Sequence, residues 1–336
     1  MSSRQKAIIQ YIVIFGVTLF LLWFSIRNLE WSVLQKNWYV ADKTWLLIMA
    51  VIALASHLVR AERWRMLMVP AGYHPKLSHS FYSLMVGYLV NLIIPRGGEV
   101  SRCYNLYKLD KTPADMSFGT VVVERIVDLI CLVFLIALCF LVESEKLLSF
   151  LDTLPFSVGS GKSRIQTLLI GGAIAMLILA LLWFIVKRNA KLQAFVTKAW
   201  YGFKQGLVSV FKLEQKGKFI FYSLLIWFLY FLTSYTVLKA FPSTSELGVG
   251  AVLSLFAIGA IAMAAPLPGG AGSYHILVPQ GLAFLYHVPL SDAVAFTVIF
   301  HGWQTLIMII GGAASLLITS YQVKRASAKA ATQKAE

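Results

Sequence analysis

The sequence predicts an all-α polytopic membrane protein, with about six spanning helices and two re-entrant helical hairpins in an inverted repeat. Three observations predict this class. The 336 residues are 58% hydrophobic and only 13% charged, whereas soluble domains carry roughly 45–50% apolar and about 25% charged residues. The mean hydropathy is +0.73. Apolar stretches of about 20 residues, the length that crosses a bilayer, recur along the chain.

The charge balance is strongly basic, at +15 from 30 Lys and Arg against 15 Asp and Glu. The basic residues collect between apolar stretches and at both ends, as in cytoplasmic loops that face anionic lipid. No soluble module presents this charge, so nucleic acid is not a predicted partner. The three cysteines lack zinc-finger or CxxC spacing. We therefore predict neither a metal site nor a cofactor.

The apolar stretches give the predicted elements in order. The first is longer than a typical signal-peptide core and has no small-residue cleavage site after it, so we expect a retained helix. The second is expected to continue as a helix through the basic residues up to Arg65. The predicted spans are 7–26, 45–60, 117–142, 165–186, 218–240 and 293–319.

The connections orient these spans. Residues 187–218 carry eight Lys and Arg against Glu214 alone, and 60–76 is also basic, so both are predicted to be cytoplasmic. The same rule places the N-terminus and the basic tail 321–336 in the cytoplasm. The connections 143–164 and 241–248 carry little excess positive charge and are predicted to lie outside.

In this orientation, each of two regions must enter and leave the membrane on the same side. They are 78–116, broken at Pro95, and 249–290, broken at Pro268, and they enter from opposite faces. The breaks lie about 172 residues apart, so 1–142 and 165–320 are predicted to be inverted halves of one membrane domain. Matching broken segments in two halves point to a transporter's substrate site. The alternative is eight ordinary crossings with two proline kinks.

The first break is rich in arginine and glycine. Proline ends a helix, glycines permit close approach by another group, and the amides of a new helix start favour anions. Arginine grips phosphate through paired hydrogen bonds. We predict a lipid phosphate cradle here, or else a surface loop that contacts ordinary head groups. Its residues are Arg96, Gly97, Gly98, Glu99 and Arg102.

Two acids lie inside the third predicted span. Glu124 and Asp128 are four residues apart and share one helix face. An ionised group near mid-membrane is costly unless it is paired, so such residues are candidates for function. Their expected partners are Arg125, in the same helix, or the arginines of the first break. The alternative is a structural ion cluster that holds the hairpin to the helix.

The second break offers more glycine together with titratable residues of the last span. Histidine titrates near neutral pH, so a proton-coupling role and a hydrogen-bonded packing role both stand. A serine hydrolase based on Ser273 is not favoured, because Ala271 replaces the first glycine of the G-x-S pattern. The candidate residues are Pro268, Gly269, Gly270, Gly272, His275, His301 and Gln304.

These motifs resemble the transmembrane region of the lysylphosphatidylglycerol synthase family, also called flippase-like proteins. The matching stretches are 95–99 with Arg102, 123–128, and 266–272. The resemblance implies a bacterial inner-membrane protein that moves a lipid between leaflets. It also implies no synthase activity, because the aminoacyltransferase domain of fuller members is missing. His275 stands where relatives often carry an acid, and His301 where many carry arginine.

Three functions follow as hypotheses. The first is a flippase for a phospholipid or lipid-linked phosphate, without cofactor, whose two halves tilt in alternation. The second is a lipid-modifying enzyme with Asp128 or His275 as its base. The third is a lipid-binding partner subunit of a separate synthase. The predicted partners are therefore a membrane lipid and such a synthase, and the oligomeric state stays open.

Overall fold

The computed structural model describes residues 16–27, 29–153, 187–188, 193, 197, 213–265 and 267–335. All regular elements in these ranges are helices. They are α1 (Gly16–Ile26), α2 (Trp31–Val40), α3 (Lys43–Met68), α4 (Leu77–Asn91), α5 (Gly97–Asp110), α6 (Ala114–Thr153), α7 (Lys216–Lys239), α8 (Val249–Ala264), α9 (Ser273–Tyr286) and α10 (Leu290–Ala335).

Four of these helices are long and apolar enough to cross a membrane. They cover Lys43–Ala71, Ala114–Lys146, Lys216–Lys239 and Leu290–Ala328. α1 and α2 add a fifth candidate, bent by 81° at its break. The expected continuation of the second span into its basic end is confirmed, since α3 runs to Met68. The predicted span 165–186 and the first residues of 7–26 lie outside the described ranges.

Each interrupted region forms two helices that pack against each other. α4 ends at Asn91 and α5 begins at Gly97, and the turn between them contains Pro95. α8 ends at Ala264, a short 3-10 turn follows, and α9 packs back on α8. We call these pairs the first hairpin and the second hairpin. The helices begin and end where the prolines and glycines of the sequence predict.

The long helices hold the two hairpins in place. α10 packs against α4 of the first hairpin and α9 of the second, while α3 packs along α7. The largest apolar core lies among α7 to α10, where Phe241 and Phe296 are fully buried. α6 instead leaves large apolar side chains such as Phe134 and Leu141 exposed. Hydrocarbon is the solvent that suits such a surface.

Candidate functional site

The acids of α6 lie in a buried cluster of charges between α3, α5 and α6. Glu124 is fully buried. One of its carboxylate oxygens accepts a hydrogen bond from Arg60 Nε at 2.6 Å, and the other accepts one from Arg102 Nη2 at 2.7 Å. Arg63 Nη2 lies 3.5 Å from the first oxygen. Three guanidinium groups thus surround one carboxylate.

Asp128 extends this cluster by one helical turn. It accepts hydrogen bonds from Arg63 Nη2 at 2.6 Å and from Arg60 Nη2 at 3.1 Å. The two acids therefore share two arginines, as their i, i+4 spacing allows. Desolvation penalises each of these charges, and the penalty is offset only because every carboxylate has close cationic donors. We call these five residues the arginine–acid cluster.

Neutral groups complete the surroundings of the arginine–acid cluster. Arg60 Nη1 donates to the Tyr230 hydroxyl at 3.2 Å. The Arg102 guanidinium lies 4.6 Å from the centre of the Trp64 ring, whose indole N–H donates to Thr120 at 2.9 Å. A guanidinium over an aromatic face gains a cation–π attraction, which strengthens when both groups are desolvated.

The partners of the acids differ in part from those that the sequence suggested. Arg102 pairs with Glu124 as proposed, but Arg125 donates to Glu99 instead, at 3.1 Å. Arg96 has no carboxylate partner among the described residues. Arg60 and Arg63 were missed as site residues because their stretch was assigned to a cytoplasmic connection. The sequence signal that could have identified them is their i, i+3 spacing at the end of an apolar helix.

A cavity of about 720 Å³ is lined by residues from the breaks of both hairpins. Arg96, Glu99 and Arg125 line it from the first hairpin and α6, together with Arg60 of α3. Across the cavity lie groups of the second hairpin and α10. These are Leu267, Gly269, Gly270, His301, Gln304 and Thr305. We call this space the large cavity.

The glycines of the first break pack the two arms of the hairpin against each other. The Gly97 amide donates to the Ile94 carbonyl at 2.9 Å, and the Gly98 amide donates to Asn91 Oδ1 at 2.7 Å. A Cβ at Gly98 would collide with the carbonyl oxygen of Gly87 on α4. The Gly97 and Gly98 amides are therefore bonded within the hairpin itself, and the phosphate cradle at this break stays a prediction.

The second break places its residues in two different environments. Gly269 and Gly270 line the large cavity with positive φ angles of 57° and 73°, a conformation that glycine adopts without steric cost. The Gly269 carbonyl oxygen lies 3.0 Å from His301 Nε2. Pro268 beside them is buried.

Gly272 and His275 lie on the other side of this break, against α1. A Cβ at Gly272 would come within 2.7 Å of Leu21, and the His275 carbonyl accepts a hydrogen bond from Ser25 at 2.5 Å. The ring of His275 remains close to His301, with ring centres 4.8 Å apart. His275 does not line the large cavity.

The Ser273 hydroxyl is bonded to the backbone. The Ser273 hydroxyl donates to the Ala262 carbonyl at 2.7 Å, so its proton is directed at the backbone and not at a histidine base. Within the described ranges, no group of three His, Cys, Asp or Glu residues could hold a metal ion. The geometry suits binding of a polar group between two hairpins.

Comparison with known proteins assigns the family. Residues 8–312 match the family described as the lysylphosphatidylglycerol synthase TM region. The chain belongs to this family. Its match covers both hairpins, the arginine–acid cluster and the large cavity, so the site belongs to the part that the family shares.

Two curated proteins are similar to parts of this chain. The glycosyltransferase AglD of Haloferax volcanii is 26% identical over 306 residues, which cover 82% of this chain and 49% of that protein. The UPF0104 membrane protein MJ1595 of Methanocaldococcus jannaschii is 32% identical over 81 residues, which cover 23% of this chain and 24% of that protein. The chain thus spans half or less of these relatives. No solved structure matches.

Proposed function

We propose that this protein is a lipid transporter, which moves a phospholipid or lipid-linked phosphate between the leaflets through the large cavity. One observation carries the proposal: both broken hairpins end at the same cavity, and arginines line it. Membrane transporters build substrate sites where interrupted helices meet near the bilayer midplane. The family to which the chain belongs supports the same proposal, because the resemblance to it implies lipid movement between leaflets.

The helix lengths support hairpins that enter and leave on one side. The four arms contain 14 to 16 residues, which corresponds to about 21–24 Å at 1.5 Å per residue. The hydrocarbon core is about 30 Å thick, so a single arm falls short of a crossing. We infer two re-entrant hairpins in inverted halves, both termini in the cytoplasm, and a location in a bacterial inner membrane.

The charge of the site favours an anionic head group. The arginine–acid cluster contains three arginines and two acids, and the large cavity adds Arg96, Arg125 and Glu99. Five arginines against three carboxylates leave two positive charges in excess. A phosphate, which arginine binds through two parallel hydrogen bonds, would balance this excess.

We assign different roles to the buried and the exposed charges of the site. The arginine–acid cluster joins α5 of the first hairpin to α3 and α6 through buried ion pairs, and we assign it to holding these helices together. Arg96 is exposed to the large cavity and has no described carboxylate partner, so it is free to bind phosphate. Arg125, whose ion pair among the described residues is with Glu99, is the second binding group.

The proposal is tested with vesicles that contain the purified protein and a fluorescent phosphatidylglycerol or a fluorescent isoprenyl phosphate. Dithionite quenches the outer leaflet, and the loss of the protected signal measures transbilayer movement. Wild-type protein should accelerate the movement of at least one probe. Arg96→Gln and Arg125→Gln should each slow it about tenfold, because each removes a charge-assisted hydrogen bond worth about 1.5–3 kcal/mol.

Arg65→Gln is the matched control for these variants. Arg65 pairs with Glu62 at 2.8 Å and does not line the large cavity, so its loss should leave the rate unchanged. Movement no faster than in protein-free vesicles, for both probes, would remove the transport proposal. Equal rates for wild type and both cavity variants would remove the assigned binding residues.

The enzyme hypothesis has less support. Two arginines hold Asp128, and His275 Nδ1 lies 3.4 Å from the Gly272 amide, so neither is a free base beside the large cavity. The relative named as a glycosyltransferase matches over only half of its length. A partner-subunit role remains an alternative, for which co-purification of a synthase with the tagged protein is the measurement.

A further inference from the structure

A second cavity of about 270 Å³ adjoins the large one. The two cavities share wall residues, which are Arg60, Tyr88, Met263, Gln304 and Met308. Its volume is far above the ~15 Å³ that one water needs, so it has room for a chemical group. We call it the recess.

The recess differs from the large cavity in charge. Among the described residues of its lining, Arg60 alone is charged, and it is paired with Glu124 and Asp128. The other polar groups are neutral, and aromatic Phe256 and Phe300 stand beside them. The neutral polar residues are Ser56, His57, Tyr88, Tyr230, Thr233, Ser234, Tyr274 and Gln304. Such a lining suits an uncharged ligand part that carries hydroxyl groups.

Two lining residues have buried polar atoms that lack a partner among the described residues. These atoms are His57 Nδ1 and the Tyr88 hydroxyl, and the two rings lie 4.6 Å apart. His57 as a whole is 7% exposed. Because a buried polar atom without a hydrogen bond is costly, it calls for a ligand or an ordered water.

Further hydrogen-bonding capacity lies next to these atoms. The Tyr230 oxygen accepts a hydrogen bond from Arg60, so its own hydrogen is available to donate. The Ser56 and Thr233 hydroxyls donate to backbone carbonyls of their own helices, which leaves their oxygens as acceptors. The residues that line the recess thus offer both donors and acceptors, as a hydroxylated ligand requires, since each hydroxyl both donates and accepts.

We propose that the recess binds the uncharged, hydroxyl-bearing end of the lipid head group while its phosphate lies at Arg96 and Arg125 in the large cavity. Tyr88, Tyr230 and His57 are then specificity-determining residues that distinguish hydroxylated head groups from bare phosphodiesters. The inference rests on the proposed transport function and adds the substrate class.

The test compares two lipids that differ only in the head-group alcohol. Dioleoyl phosphatidylglycerol and dioleoyl phosphatidylmethanol have equal acyl chains and equal phosphodiester charge, but only the first carries free hydroxyls. Affinities for the full-length protein in detergent are measured by native mass spectrometry. Wild type should bind phosphatidylglycerol about fivefold more tightly, the ratio expected from one neutral hydrogen bond.

Tyr88→Phe should abolish this preference without lowering the melting temperature, because the removed hydroxyl has no hydrogen-bond partner in the part of the chain that the structure describes. Ala260→Leu, which fills the recess, should also abolish it. Tyr286→Phe is the control: its hydroxyl bonds Ser254 at 2.8 Å, away from both cavities, and the preference should persist.

Equal affinity of wild type for both lipids would overturn the inference, and the recess would then hold only water. An unchanged preference in both Tyr88→Phe and Ala260→Leu would overturn it as well. Arg96→Gln should weaken the binding of both lipids equally. If wild type binds neither lipid and moves neither probe across vesicles, the proposed transport function is wrong. Equal binding of both lipids is a different result, which contradicts only the inference about the recess.

Discussion

Glu124 lies at the centre of the arginine–acid cluster. Its side chain is fully buried, and the guanidinium groups of Arg60, Arg63 and Arg102 all lie within 3.5 Å of it. Removing one partner of a buried ion pair leaves charge uncompensated in a medium of low dielectric constant. We therefore expect Glu124 to stabilise the fold, whereas we propose that Arg96 in the large cavity binds the substrate.

Glu124→Gln should destabilise the protein by about 3–5 kcal/mol, because three arginines would then share Asp128 alone. The measurement is thermal unfolding of the protein in detergent. Glu246→Gln, at an exposed position of the connection after α7, is the control and should melt like wild type. A Glu124→Gln melting temperature equal to the control would show that the arginine–acid cluster does not stabilise the fold.

At the level of the helices, each hairpin depends on close contact of its arms. Gly98 on α5 lies against Gly87 on α4, and its amide is bonded to Asn91. The sequence predicted the break itself, since proline and paired glycines are local signals. It also predicted close approach at these glycines but could not name the partner, because the facing Gly87 lies on another helix and leaves no local signature.

Gly98→Ala should disrupt the first hairpin, because the new Cβ would lie 2.6 Å from Asn91 Cγ and would also strike the Gly87 backbone. We expect a lower melting temperature together with slower lipid movement. Gly119→Ala in α6 is the matched control, since nothing lies within 4 Å of its added Cβ. This control should gain up to about 1 kcal/mol from helix propensity. Equal behaviour of the two variants would contradict the close packing of the hairpin.

Across the whole molecule, α10 connects the two hairpins. It packs on α4 through Gly312 and on α9 of the second hairpin. In the proposed transporter the two halves tilt against each other, so this contact lies where relative movement is required. Small residues at such a contact let helix backbones approach closely within a membrane.

Gly312→Val should separate α10 from α4, because an added Cβ would lie 2.6 Å from Leu89 Cβ and 2.9 Å from the Met85 carbonyl oxygen. We expect reduced transbilayer lipid movement and a lower melting temperature. Gly302→Val on the same helix is the control, since its added Cβ meets nothing within 4 Å. Vesicle assays in which both variants move lipid at the wild-type rate would exclude this contact as a site of coupling between the halves.

The local features of this protein were readable from its residues. Composition and apolar length identify the membrane class, prolines and glycines mark both breaks, and the i, i+4 spacing puts Glu124 and Asp128 on one face. Each of these properties depends on neighbours within a few positions, and hydrocarbon permits few backbone structures other than helices.

The pairing of distant residues required the folded molecule. Arg60 bonds Glu124 across 64 positions of the chain, and His301 meets Gly269 across 32. Arg125 in the same helix and the arginines of the first break were both expected as partners of the acids, and Arg102 takes that place while Arg125 bonds Glu99 on the first hairpin. Which arginine neutralises which acid depends on how helices pack side by side, and that arrangement is set by contacts spread along the entire chain.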